Sequence, residues 1–434
     1  MLKNNMRERA INLLWLLIEQ GGRVLSSLLI TLLVVNHLGA EDFGVLSLSL
    51  AILTALGAIV GLGMDPILFK LFISKKKDGK ELIETSCFLR LVVSVIVIIS
   101  ITLLNILSDE LYIDILNVLV IGFLFDSFLS LKDYFGAHLK NKFYTYSTLV
   151  SLLTQLVLTY TFVENEVGVI YFSFTYLLAK IIQATSLYIC YFNLKHKTIL
   201  PRLNKKLATS LLRSSFPMML AASIGLLYSL QDQFFIKYFL GEYELGLYAV
   251  GIKMILVLIV LPTLISNVFY PSLVSKFHQE NSDAYIKQLE SIYTVFFILG
   301  FVAFISMFFA SEFIITTLFS DEFLSSVDVM KIYSLLLILT FFQSINNKIL
   351  ILHNLETIIF KRALLALSIN AVLNYLLIPR YGINGAAYST VISELFVLIS
   401  YALIRETRFI FIYQVKAVLL VSLFKSDFIR NLKT

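Results

Sequence analysis

Charge is scarce in this chain. Acidic and basic residues together make up 15% of its 434 residues, against about 25% in soluble globular domains. Hydrophobic residues make up 58% and the mean hydropathy is +0.86, and so little polar surface cannot cover so much apolar side chain in water. A soluble domain is thereby excluded, and a lipid bilayer is the natural solvent. Cysteine is limited to Cys87 and Cys190, far apart and inside apolar runs, which argues against a disulfide framework or a thiolate metal site and leaves two small hydrophobes. The five histidines, His37, His138, His196, His278 and His353, sit at or near the ends of apolar runs, so no histidine proton relay is expected within the membrane. Tryptophan occurs once, at Trp15, and the aromatic belts at the bilayer interfaces fall to 22 Tyr and 36 Phe. No P-loop, HExxH or nucleophile elbow occurs, so no built-in ATPase and no enzyme chemistry is expected. Nothing points to nucleic acid.

What the chain has is a succession of apolar runs of roughly 20 residues, the length that crosses ~30 Å of hydrocarbon as a helix. They predict an all-α polytopic membrane protein of about twelve spans, at 11–35, 43–72, 82–107, 111–137, 144–163, 167–194, 214–240, 245–274, 288–310, 327–352, 360–379 and 384–404. The first run follows Lys3, Arg7 and Arg9 like a signal peptide, but it has no small-residue cleavage site and reads as a retained span. Lysines and arginines fall almost wholly in the even-numbered connections: Lys75, Lys76, Lys77 and Lys80, then Lys140 and Lys142, a cluster from Lys195 to Arg213, Lys276 and Lys287, and Lys361 with Arg362. The odd connections carry acids and Arg380. The positive-inside rule therefore puts both termini in the cytoplasm. The longest non-helical outer stretch runs from Ser311 to Ser326, too short for a catalytic domain, and the last apolar segment, 409–424 with Lys416 in it, reads as an interfacial helix in preference to a thirteenth span.

The string "LGAEDFGVLSLSLAI" at 38–52 recurs as "LGEYELGLYAVGIKM" at 240–254, sharing Leu-Gly and, after four residues, Gly. Two halves of six spans follow, in the same orientation, a plan in which two bundles rock around a shared central cavity. The divisions are an N-terminal lobe over 1–200, a C-terminal lobe over 201–405 and a cytoplasmic or interfacial tail over 406–434, with the basic stretch from Lys195 to Arg213 linking the lobes. Gly168 and Gly385 open other even spans, where a glycine allows tight turns and close helix approach.

An ionisable group at membrane depth costs about 2.5 kcal/mol or more and is a functional candidate by default. Arg23 lies about twelve residues into span 1, roughly 18 Å; Lys180 is at similar depth in span 6, and Arg90 and Lys253 are shallower. Glu19, Asp65, Asp126, Asp232 and Glu394 are the acids at depth, candidates for binding a coupling H+ or Na+ or for serving as counter-charges. Ser173, Tyr176, Lys180 and Gln183 share one helix face, as do Asp126, Ser130 and Asp133, and both faces are expected to line a cavity. The competing readings are that Glu19 and Arg23, at i and i+4, merely pair, and that Lys70, Lys237 and Lys331 snorkel from helix ends. Pro66, Pro217 and Pro262 fall inside spans, and Pro262 is expected to break or kink span 8 near its middle.

The strings "LGAEDFGVLSLSLAI", "RSSFPMMLAASIGLLYSLQDQFFIKYFLGEYELGLYAVGIKM", "YPSL" at 270–273 and "LIPRYGINGAAYSTVISE" at 377–394, in that order, resemble O-antigen flippases of the Wzx type, within the multidrug/oligosaccharidyl-lipid/polysaccharide exporter superfamily. The resemblance covers nearly the whole chain to about residue 405. It implies export of an undecaprenyl-diphosphate-linked oligosaccharide across a bacterial plasma membrane by alternating access, for O-antigen, capsule or exopolysaccharide assembly, with polymerase and chain-length proteins of the pathway as neighbours. It also implies lumen cations that hold the pyrophosphate, a role that position assigns to Arg23, Arg90, Lys180 and Lys253. The alternatives are a multidrug/cation antiporter of the same superfamily, which favours an acidic cavity, a lipid II flippase, which needs two further spans, and a membrane polysaccharide polymerase, which needs a larger outer loop.

Overall fold

The computed structural model describes residues 2–74, 79–195, 198–278 and 282–424. Lys75, Lys76 and Lys77, His196, and the tail beyond 424 lie outside the described residues. Helices account for all regular structure among those described. In chain order they are α1 (Leu2–Gly61), α2 (Asp65–Ser74), α3 (Gly79–Ile106), α4 (Leu111–Val120), α5 (Phe123–Asp126), α6 (Ser130–Ala137), α7 (Asn141–Glu164) and α8 (Val169–Lys195). They continue as α9 (Lys205–Leu240), α10 (Glu242–His278), α11 (Ser282–Leu318), α12 (Ser326–Ser334), α13 (Leu336–Leu352), α14 (Glu356–Tyr381), α15 (Ile383–Leu403) and α16 (Arg408–Val418).

Among the described residues, eleven apolar helical stretches are long enough to cross a membrane. The first, Ile11–Ser74, has 64 residues, about 96 Å at 1.5 Å per residue, and so holds two crossings; it turns at Gly39, whose φ of 74° no side-chain-bearing residue adopts easily. That makes twelve. The repeat partner of Gly39 is Gly241, with φ 92° at the turn from α9 to α10. The shared Leu-Gly string thus encodes the same left-handed corner twice.

Exposure is inverted relative to a soluble protein. Along α3 the exposed side chains include Val92, Val95, Ile96, Ile99, Leu103 and Leu104, whereas Arg90 and Ser94 are buried. With lipid as solvent, no hydrophobic force drives helices together, and polar groups turn inward to find partners.

The chain forms two compact units, Met1–Leu230 and Gln231–Thr434. In the first, Leu68, Cys87, Tyr134, Leu187, Leu207 and Leu211 share one core, so the beginning of α9 packs with α2, α3, α6 and α8. In the second, Leu289, Tyr293, Phe342, Ile349, Tyr401 and Ile410 share the core, which docks α16 on α11 and α15.

Several helix expectations change. Span 2 is interrupted at Leu62–Gly63–Met64 and restarts at Asp65, so Pro66 sits in the first turn of α2, where its missing N–H removes no hydrogen bond. Gly63 there meets α9 so closely that a Cβ would lie 2.4 Å from the amide nitrogen of Met219. Of the break or kink expected at Pro262, the break is absent: α10 runs as one helix through Pro262 and Pro271. Span 4 is divided into α4, α5 and α6, with a 3-10 turn at Ser127–Leu129. The expected outer loop from Ser311 to Ser326 is mostly helical: α11 continues to Leu318 and a 3-10 turn covers Asp321–Ser325. α16 has eleven residues, about half of what a crossing requires.

Candidate functional site

In the first unit a cavity of about 110 Å³ lies among α1, α4, α7 and α8. Its apolar wall is Leu53, Leu119, Leu152 and Ala179, and its polar wall is Arg23, Ser151, Gln155, Tyr176, Lys180 and Gln183. Three of the four residues of the polar stripe expected on span 6 line it, because they recur at helical spacing on α8. The fourth, Ser173, is fully buried and bonds back to the Ile170 carbonyl.

Two cations stand on that wall, each held by a carboxylate that is not on it. Lys180 Nζ donates to both oxygens of Asp126, at 2.8 and 2.6 Å. Arg23 pairs with Glu19 one turn away on α1 and also donates to the Tyr144 hydroxyl at 2.8 Å and to Thr148 Oγ1 at 3.4 Å. The local i, i+4 pairing is therefore present, and Arg23 reaches α7 and the cavity as well. Gln183 Nε2 donates to Thr148 Oγ1 at 3.0 Å, while Gln155 Nε2 is buried with no partner. The wall offers two cations and an uncommitted amide donor, and no carboxylate. A space of this size takes a small group such as a phosphate.

Arg90 is not part of this cavity. It is 3% exposed and pairs with Asp65 at the restart of the interrupted helix. Asp133 stands near enough to feel both charges, and Arg90 Nε and Asp133 Oδ2 have no hydrogen-bond partner. The face expected to carry Asp126, Ser130 and Asp133 together is divided: the 3-10 turn sends Asp126 to α8, while Ser130 accepts from Ser86 of α3 at 2.8 Å.

Lys253 lies half-buried on α10, in the second unit. That unit holds a polar cluster of a different kind. Asp232, 4% exposed, accepts from Tyr248 Oη at 2.9 Å, Asn374 Nδ2 at 2.6 Å and Thr390 Oγ1 at 2.6 Å. The Asn370 amide stands 2.9 Å from its Oδ1, and Asn374 Oδ1 is buried without a partner. Of the five acids at depth, Glu19, Asp65 and Asp126 are in ion pairs, Glu394 accepts from Gln343, and Asp232 is held by neutral donors. No cluster of three or more His, Cys, Asp or Glu suited to a metal ion occurs among the described residues.

Arg362, counted from the sequence as a connecting-loop charge, is buried on α14 instead. Its Nε donates to Ser400 Oγ at 3.2 Å and its guanidinium lies 3.3 Å above the Tyr401 ring centroid. The residues that sequence reasoning missed, Arg362, Asn370 and Asn374, share one buried face with Ala366 and Ile378. Their spacing of four or eight was a signal available in the sequence.

Twelve apolar crossings among the described residues, with polar groups gathered inside each unit, define a multi-pass membrane protein. Solved structures bear this out at the level of the fold. An inward-facing multidrug resistance MATE family transporter of the MOP superfamily superposes with TM-score 0.71 at 11% identity, over 92% of this chain and 95% of that one. The lipid II flippase MurJ in an inward closed conformation gives 0.72 at 16%, over 96% and 95%. A MOP superfamily transporter from Pyrococcus furiosus Vc1 (DSM3638), described as having a binding pocket of reverse polarity, gives 0.58 at 14%, over 94% of each. No curated protein matches in sequence. Residues 36–328 match the family described as polysaccharide biosynthesis protein, and the chain belongs to that family.

Proposed function

We propose that this protein is a flippase that carries an undecaprenyl-diphosphate-linked oligosaccharide from the cytoplasmic to the outer leaflet of a bacterial plasma membrane by alternating access, for O-antigen, capsule or exopolysaccharide assembly. The observation that carries the reading is the polar wall of the first unit's cavity: Arg23, Lys180 and the unpartnered Gln155 Nε2 stand on one space that, among the described residues, no carboxylate lines. Cationic and N–H donors bind phosphate oxygens by charge-assisted hydrogen bonds, strengthened where water is scarce. Family membership supports the sugar pathway, and polymerase and chain-length proteins of that pathway are the proposed neighbours.

The driving ion is assigned to Asp232. Burying an ionised carboxylate costs several kcal/mol, and hydrogen bonds to a charged group return about 1.5–3 kcal/mol each. Those donors offset part of that cost, yet they bring no opposite charge. A proton or Na+ supplies that charge, and the free carbonyl oxygen of Asn374 is a second ligand atom at hand. Arg90, buried and paired with Asp65, and Lys253, on α10 in the second unit, are not among the residues of this wall.

In cells lacking the protein, complete lipid-linked repeat units should accumulate on the cytoplasmic leaflet. Lys180→Ala and Arg23→Ala should each restore less than about a tenth of export, since each removes a charge-assisted contact of about 1.5–3 kcal/mol. Normal export accompanied by a changed sensitivity to cationic drugs would sink the proposal and favour the multidrug antiporter.

A further inference from the structure

We propose that Asp126 is the affinity-setting counter-ion of Lys180: it keeps the cavity from holding an anionic head group so tightly that the group cannot leave. The inference rests on the reading of the cavity as a diphosphate site. Lys180 Nζ donates to both oxygens of the Asp126 carboxylate, at 2.8 and 2.6 Å. That carboxylate is the more buried partner, with 14% of its side chain exposed against 39% for Lys180, and it is absent from the cavity wall. It stands off the cavity wall beside the ammonium and cancels much of its charge.

The backbone is shaped to make this contact. Asp126 ends α5, a four-residue helical segment between the turn at 121–122 and the 3-10 turn Ser127–Leu129. A straight helix would aim it with Ser130 toward α3; the irregular stretch turns it to α8 instead. On the other side, the lysine stem lies over Gly122, where a Cβ would meet Lys180 Cγ at 3.5 Å and Cβ at 3.7 Å. The lysine is thus fixed at both stem and tip, and its position does not depend on a bound anion.

A carrier must release what it binds, and among related complexes affinity is set mostly by the rate of leaving. An unopposed lysine beside Arg23 and Gln155 would bind phosphate oxygens well and let them go slowly. With Asp126 beside it, the same lysine still recognises a diphosphate and surrenders it. Removing the counter-charge should therefore raise affinity and lower turnover together, a split that simple damage to the site does not produce.

The test uses the full chain in lipid nanodiscs, with undecaprenyl diphosphate as the probe for binding, and export of lipid-linked repeat units in cells as the measure of turnover. Asp126→Asn should bind the probe at least ten-fold more tightly than the wild type and export several-fold more slowly, and Asp126→Glu should behave like the wild type. Asp126→Asn with Lys180→Gln should lose the gain in affinity. If Asp126→Asn does not fold, Asp126→Ser makes the same test, since it too removes the charge and keeps an acceptor oxygen. Wild-type binding with no tightening in the charge-removed variants, or a gain that survives Lys180→Gln, overturns the counter-ion role alone. Absence of saturable binding in the wild type and in every variant overturns the head-group reading as well.

Discussion

Asp232 and Lys180 illustrate two ways of keeping a charged side chain inside a bilayer. Lys180 has a partner of opposite charge at 2.6 Å, whereas Asp232 has dipoles only. This difference makes Asp232 the residue whose occupancy can change without breaking an ion pair. Asp232→Asn should reduce ion-driven export by about ten-fold or more, the scale of losing one charge-assisted contact, and should abolish its dependence on the ion gradient. Gradient-dependent export at the wild-type level would remove Asp232 from the coupling role. Outside the spans, His353 hydrogen-bonds to Tyr285 Oη at 3.1 Å and packs against Phe277 and Phe409, and burial holds its pKa below the ordinary 6.5. The unfolded chain then binds the proton more readily, so the stability that neutral His353 contributes is present above that ordinary value and is lost as the pH falls through it. Thermal unfolding followed from about pH 8 to about pH 5 should show this loss, and His353→Gln should flatten it.

At the scale of the element, single glycines decide where helices end and how closely they approach. Gly39 and Gly241 turn the corners of the two repeat strings with positive φ. The glycines that open spans 6 and 12 looked alike in the sequence, but they differ. A Cβ on Gly385 would lie 2.4 Å from the Leu377 carbonyl oxygen, whereas one on Gly168 would meet nothing within 4 Å. Gly385→Ala should therefore cost about 1–3 kcal/mol of overpacking and lower the melting temperature of the purified protein by several degrees. Gly168→Ala should stay within about 0.5 kcal/mol of wild type. Equal effects of the two substitutions would show that close helix approach is not what Gly385 provides. Prolines behaved less simply: Pro66 opens a helix, while Pro262 and Pro271 are carried inside an unbroken one.

At the scale of the molecule, the sorting of basic residues predicts which ends of the helices face the cytoplasm. With Cys87 and Cys190 replaced by alanine, Asp109→Cys and Glu166→Cys should react with an impermeant maleimide added to intact cells. Lys142→Cys and Glu356→Cys should react only after the membrane is opened. All four positions are exposed, so the reverse pattern would overturn the orientation. The sequence by itself determined the solvent, the number of crossings and the two-fold repeat, because run length, charge scarcity and the Leu-Gly string are local properties that any bilayer reads in the same way. It also marked Lys180 with Tyr176 and Gln183, since helical spacing alone puts them on one face. Partners were beyond its reach: that Arg23 and Lys180 share a cavity while Arg90 does not, that Arg362 is buried, and that Asp232 meets Asn374 and Thr390. Those pairings join residues as much as 158 positions apart, and hydropathy says only that a polar face turns inward, never which neighbour it finds. Tertiary structure decided them, through helix breaks at 62–64 and 127–129 and through close approaches that no periodicity records.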